Sequence, residues 1–121
     1  MAKDLRILCC DGIAERGIEI LRDVAEVDVS EKGLSGDELR ERLAPCEAVI
    51  VRSATKIGPD DLDAAPNLRA IARAGVGVDN IDVSAATARG IIVINSPEGN
   101  TISAAEHTMA MLLALARKVP A

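Results

Sequence analysis

Apolar residues along this chain come in short continuous runs, separated by stretches where they recur every third or fourth position. Arg6 to Cys10 is one such run, closed by the turn pair Asp11-Gly12. After it, Ile13, Gly17, Ile18, Leu21 and Val24 fall on one stripe, the period of a helix that spans 13–24. The alternation repeats to the end of the chain. Residues 26–29, 48–51, 68–72 and 91–94 read as four further strands. Ser35-Gly-Asp-Glu38 is a capping-box start for a helix with Leu39 and Leu43 on its buried edge, and Pro45 ends it. Gly58-Pro59 begins a short helix over 60–64. Asp82 caps a helix that runs through Ala88, and Gly90 stands where a left-handed stop belongs. Ser103-x-x-Glu106 is a second capping box, predicting a last helix that reaches about Lys118.

Strands that are continuous apolar runs joined by helices predict a parallel sheet covered on both faces. Right-handed crossovers make that a three-layer α/β sandwich. Five strands and five helices fit the flavodoxin-like order 2-1-3-4-5. The expected division is a domain over 1–98 and a terminal helix over 99–121.

Composition changes this picture in three ways. Phe, Tyr and Trp are all absent, so the core is built from Val, Ile, Leu and Ala, and no ring is available to stack a base or a flavin. The net charge is −5 and the basic residues are scattered singly, which argues against nucleic acid as a partner. No apolar run approaches the roughly 20 residues of a membrane span, and the polar start of the chain offers no signal peptide, so a cytoplasmic location is expected. With 121 residues, one domain with a core of its own is expected. Cys9, Cys10 and Cys46 fit neither a zinc pattern nor a disulfide framework. They read as buried free thiols, with Cys9 and Cys10 on opposite sides of their strand.

In open parallel sheets, ligands bind at the carboxyl ends of the strands. Those ends carry Asp11-Gly12, Arg52-Ser53-Ala54-Thr55, Arg73-Ala74-Gly75-Val76-Gly77, and Asn95-Ser96-Pro97 leading to Asn100-Thr101. Two arginines, several hydroxyls and glycine amides converge on one rim, the chemistry of a small-anion site centred on Arg52 and Arg73. The stretch from Arg73 to Asn80 imitates a dinucleotide fingerprint, but Asn80 stands in the slot of the third glycine and no long amphipathic helix follows. His107 is the only histidine; its neighbour Glu106 points about 100° away on the helix, so the two form no dyad. No carboxylate set has metal spacing, and no nucleophile–base pair can be named.

Three segments, Val51-Arg-Ser-Ala-Thr-Lys56, Ala72-Arg-Ala-Gly-Val-Gly-Val-Asp-Asn-Ile-Asp82, and Asn95-Ser-Pro-Glu-Gly-Asn-Thr101 followed by Ala105-Glu-His-Thr108, resemble the D-2-hydroxyacid dehydrogenases. Their form is most similar to the family's 3-phosphoglycerate branch, which opens the phosphorylated route to serine. The resemblance implies a flavodoxin-like substrate-binding domain. In the family a separate nucleotide-binding domain holds NAD and carries the catalytic arginine, glutamate and histidine, and His107 is not that histidine. By motif position, Arg52 and Ser53 would contact substrate carboxylate or phosphate, and Arg73 the phosphate end. Gly75 and Val76 would lie against substrate and nicotinamide, with backbone amides turned to the carboxylate, and Asn100 would sit near the hydride-transfer position.

The resemblance implies a substrate-binding portion that is inactive alone and binds NAD at most weakly. The other reading from the residues is a free-standing or engineered small-anion-binding domain without activity. A receiver domain is disfavoured because the third strand ends in Arg52, and a flavodoxin because the aromatic residues are missing. The last helix carries Ile102, Ala105, Met109, Leu112, Leu113 and Ala116 on a wide apolar face, extended by Met111 and Leu115. Such a helix must be covered. It either folds back on its own sheet or reaches a second copy, and a homodimer through it is the expectation.

Overall fold

Five four-residue strands, all parallel, make one sheet in the order β2-β1-β3-β4-β5. They are β1 (Arg6–Cys9), β2 (Glu26–Val29), β3 (Ala48–Val51), β4 (Ala70–Arg73) and β5 (Ile92–Asn95). The helices are α1 (Glu15–Arg22), α2 (Gly36–Leu43), α3 (Pro59–Asp63), α4 (Val83–Ala88) and α5 (Thr101–Ala116). This computed structural model describes residues 4–119, so the outer ends of the two expected segments, 1–3 and 120–121, lie outside the described residues. The α/β class and the strand order are those the apolar runs predict.

The register explains why one face of the sheet forms the main core. Leu8, Val49, Ile71 and Val93 lie side by side across β1, β3, β4 and β5. The first three are fully buried. Leu39 and Leu43 from α2, Leu62 from α3 and Ala86 from α4 close over that rung in one continuous cluster. Buried aliphatic groups of this kind each contribute roughly 1.5–3 kcal/mol.

The opposite face is less complete. Its rungs are Ile7-Ala48-Ala70-Ile92 and Cys9-Ile50-Ala72-Ile94. Ile7, Cys9 and Ala25 form a small cluster there, and Leu21 of α1, Ala48 and Ile50 pack against it, partly buried. Beyond that α1 does not reach, and Ile92 and Ile94 stay 65% and 54% exposed. The sandwich therefore has a third layer only over β2, β1 and the near side of β3. Cys9 and Cys10 point to opposite faces, the first into this smaller cluster and the second into the main core.

Several local expectations shift. Val24 leaves the predicted stripe and is exposed, because α1 stops at Arg22 and Ala25 takes the buried place. Ser35 occupies the N-cap of α2 but makes no side-chain cap bond; Asp37 and Glu38 complement that helix end instead. Asp82 does cap α4, accepting from Ala85 N at 2.9 Å, and Gly90 is left-handed at φ +70°. The capping box at Ser103 and Glu106 does not form. The turn over Pro97–Asn100 winds directly into the helix, so α5 starts at Thr101 with Asn100 as its N-cap, and both residues lie inside it. No residue of α5 is buried. It does not fold back over Ile92 and Ile94.

Candidate anion site at the strand ends

The carboxyl ends of β3, β4 and β5 enclose a cavity of about 440 Å³ lined by Arg52, Ala74, Gly75, Ser96, Gly99 and Asn100. All but Gly99 stand on the rim that the strand ends predict, and the fold brings Arg52, Gly75 and Asn100 around one space. Ser53 and Val76 are exposed on the flanking loops. Arg73 ends β4, half-buried beside them.

Arg73 is held. Its Nε donates to the Arg52 carbonyl at 3.2 Å. Its guanidinium lies across Gly75, where any Cβ would collide with it. Glycine at 75 therefore makes room for the arginine. The Gly75 amide is also occupied, donating to Arg73 O at 2.9 Å. This corrects the expectation that the Gly75 amide faces a carboxylate. The carbonyls of Gly75 and Val76 are tied back by Ser96 N (2.9 Å) and Asn95 Nδ2 (2.7 Å). Among the described residues, the amides of Val76 and Gly77 have no acceptor within the chain. They are the donors left for an anion at this loop, beside the outer nitrogens of Arg73 and the exposed Arg52 side chain.

Two residues without an assigned part in the sequence reading shape the neighbouring loop. Asp11 takes a left-handed backbone at φ +68°. Its Oδ2 accepts from Arg52 N (2.8 Å) and Thr55 N (3.1 Å), and its Oδ1 from Thr55 Oγ1 (2.6 Å). Asn80 is buried, and its Nδ2 donates to Arg52 O (2.6 Å) and Thr55 O (2.7 Å). The only signal for either in the sequence was an aspartate at a turn and a missing third glycine.

Neither His107 nor Glu106 reaches the cavity; both are exposed on α5, none of whose residues lines it. Burial pushes the three thiols up from 9.0, Cys9 and Cys46 to about 11 and Cys10 to about 12. They are neutral, unreactive core groups. Among the described residues, no three His, Cys, Asp or Glu side chains gather closely enough to hold a metal, and no helix is long and apolar enough to cross a membrane.

The family profile described as D-isomer specific 2-hydroxyacid dehydrogenase, catalytic domain, matches residues 7–118. The chain belongs to that family. It is 53% identical over 115 residues to the D-3-phosphoglycerate dehydrogenase of Synechocystis sp., covering 95% of this chain and 21% of that protein. It is 50% identical over 117 residues to the enzyme of the same name from Archaeoglobus fulgidus, covering 96% and 22%. Among solved structures, NAD+-bound 3-phosphoglycerate dehydrogenase of Entamoeba histolytica superposes with a TM-score of 0.77 at 28% identity, over 92% of this chain and 39% of that one. The chain thus spans about a fifth of the length of these curated relatives.

The 2-hydroxyacid dehydrogenases are NAD-dependent, yet the residues described do not fit a dinucleotide. Asn80 is turned inward and bonded to the Arg52 loop, so it cannot let a helix approach the strand as a third glycine would. The next helix, α4, has the Asp82 carboxylate at its N-cap, accepting from Ala85 N, and that charge repels a pyrophosphate. Among the described residues, the Arg73–Asn80 loop and α4 offer no cradle for a dinucleotide.

Proposed function

We propose that this chain is the substrate-binding portion of an NAD-dependent D-3-phosphoglycerate dehydrogenase, acting in the oxidation that leads 3-phosphoglycerate toward serine. The observation that carries this reading is the cavity at the strand ends. Residues from the Arg52, Gly75 and Asn100 segments, each of which also resembles the family, line one space sized for a small anion. Arg52 and Ser53 would take the substrate carboxylate or phosphate, and Arg73, already aimed by Arg52 O and Gly75, the phosphate end. The amides beside Val76 would meet the carboxylate. Asn100 would stand near the carbon that loses hydride. The proton and hydride steps would fall to residues and to NAD held outside this rim, so the 121 residues alone bind without turning over. The same reading makes α5 a contact between two copies in a cytoplasmic homodimer.

Titration of the chain with 3-phosphoglycerate and separately with NAD, followed by amide chemical shifts, tests it. Shifts centred on residues 52–53 and 73–77 are expected with 3-phosphoglycerate, at millimolar affinity or weaker, about −4 kcal/mol. NAD should produce none of comparable size. Arg52→Ala with Arg73→Ala should abolish the response; unchanged binding in that double variant places the site elsewhere. NADH production above a mock preparation would refute the expectation that the chain alone is inactive.

A further inference from the structure

The loop from Arg52 to Thr55 is gripped at all four of its terminal backbone groups. Asp11 accepts the N–H of both end residues on one oxygen, at 2.8 and 3.1 Å. Asn80 donates to the C=O of both end residues, at 2.6 and 2.7 Å. Ser53 and Ala54 between them make no such bond among the described residues, and both are exposed. The grip is backed from behind. Thr55 is fully buried, its hydroxyl donates to Asp11 Oδ1 at 2.6 Å, and its oxygen accepts from Leu34 N at 3.1 Å.

Two features set this apart from ordinary loop packing. Asp11 holds its carboxylate in place from a left-handed backbone, which a non-glycine residue adopts at a cost. Asn80 is oriented by chemistry alone: a flipped amide would put oxygen against two carbonyls. Its own Oδ1 is buried with no partner, so its two donors hold it in place. Buried polar groups are satisfied in most places, and one left bare asks for an explanation.

We propose that Asp11 and Asn80 are positioning residues, a two-sided clamp that fixes the Arg52–Thr55 loop before any ligand arrives. The Arg52 side chain is then presented to the cavity in one geometry, with Ser53 exposed beside it. Arg73 belongs to the same unit, because its Nε shares the Arg52 carbonyl with Asn80. The clamp places both arginines against one fixed point. The order of the loop is set before binding, so the anion need not supply it. What the loop binds rests on the reading proposed above; how it is held does not.

The test compares Asp11→Gly, Asp11→Asn and Asn80→Ala with the unaltered chain. Glycine suits the left-handed backbone and removes only the carboxylate. Asparagine keeps one oxygen able to accept both amides. Amide hydrogen exchange is read at Arg52 and Thr55, with Ile71 of β4 as the fold control, alongside titration with 3-phosphoglycerate and with inorganic phosphate. In Asp11→Gly and Asn80→Ala, exchange at the loop ends should rise about tenfold or more, the Ile71 amide should keep its protection, and the ligand dissociation constant should rise about tenfold. Asp11→Asn should stay within about threefold of the unaltered chain in both measurements. Binding and loop exchange unchanged in both truncations would overturn the proposal. Equal loss of protection at Ile71 would also overturn it, since the residues would then serve the fold as a whole. An unaltered chain that answers neither ligand removes the proposed function, and the exchange rates still decide the clamp.

Discussion

The core beneath α2, α3 and α4 and the surface of α5 are built from the same kinds of side chain and have opposite fates. Leu39, Leu43 and Leu62 are almost wholly buried against the Leu8-Val49-Ile71 rung. Ile102, Met109, Met111, Leu112, Leu113 and Leu115 are 54–76% exposed on a helix that buries nothing. The difference lies in geometry. The first three helices each follow a strand and return over the sheet, so a crossover brings their apolar edge down on it. The helix α5 follows β5 and, among the described residues, does not cross back over the sheet. An apolar face thus specifies that something must cover it, and only the chain path specifies what.

The comparison is broken most forcefully by truncating one leucine on each side. Leu43→Ala should cost about 2–5 kcal/mol in urea denaturation, for the lost transfer energy plus the cavity left behind. Leu112→Ala, measured at a protein concentration low enough to keep copies apart, should change stability by less than about 0.5 kcal/mol. A large loss at Leu112 would mean that α5 is packed in solution on its own chain.

The next test asks what covers α5. Sedimentation equilibrium at micromolar concentration should show a dimer, corresponding to association of about −8 kcal/mol. The double change Leu112→Glu and Leu113→Glu should yield monomers with an unchanged urea midpoint, because the core does not depend on this helix. Monomers already present without the substitutions would end the homodimer reading.

A third, smaller effect separates the two regions by pH. All three thiols lie in the core clusters around the sheet and none on α5. Burial raises their pKa values above the ordinary 9.0, to about 11 for Cys9 and Cys46 and about 12 for Cys10. The folded state therefore keeps protons that the unfolded chain releases. Stability should be level below pH 9, fall as pH rises from 9 to about 11–12, and then flatten. Replacing Cys10 by Ala should remove part of that slope while leaving any α5-mediated association untouched. A midpoint independent of pH across this range would show that the thiols are solvated.

The smallest effect concerns the edge of the sheet. Arg42 of α2 grips Asp28 of β2 through two bonds, at 2.9 and 2.6 Å. The Arg42 hydrogen bonds hold the Asp28 carboxyl below its ordinary 3.8. The pair's contribution is present above that value and lost as pH falls through the lower folded one. Because both groups are partly exposed, Asp28→Asn should cost only about 0.2–1 kcal/mol at neutral pH, and the acid limb of the denaturation curve should shallow.

Much of this was legible beforehand because it depends on local periodicity. Apolar runs of about four residues gave the strands, Asp82 and Gly90 gave the limits of α4, and the strand ends gave Arg52, Arg73 and Asn100 on one rim. Boundaries slipped where a neighbouring segment intervened, as at Thr101, where the Pro97–Asn100 turn starts the helix before its capping box. The clamp was not legible. Asp11, Thr55 and Asn80 are 44 and 25 residues apart in sequence, and no periodicity marks a hydrogen bond across such a gap.

The sequence by itself determined the class of fold, the family, the burial of Cys9 and Cys10 on opposite faces and the placing of two arginines at the strand ends, because each follows from side-chain type and spacing along one element. Only the tertiary structure decided that Gly75 makes room for Arg73, that its amide is taken, that Asn80 faces inward, and that α5 leaves Ile92 and Ile94 uncovered. Those outcomes turn on which backbone groups from distant segments compete for the same partner, and that competition exists only once the sheet has brought the segments together.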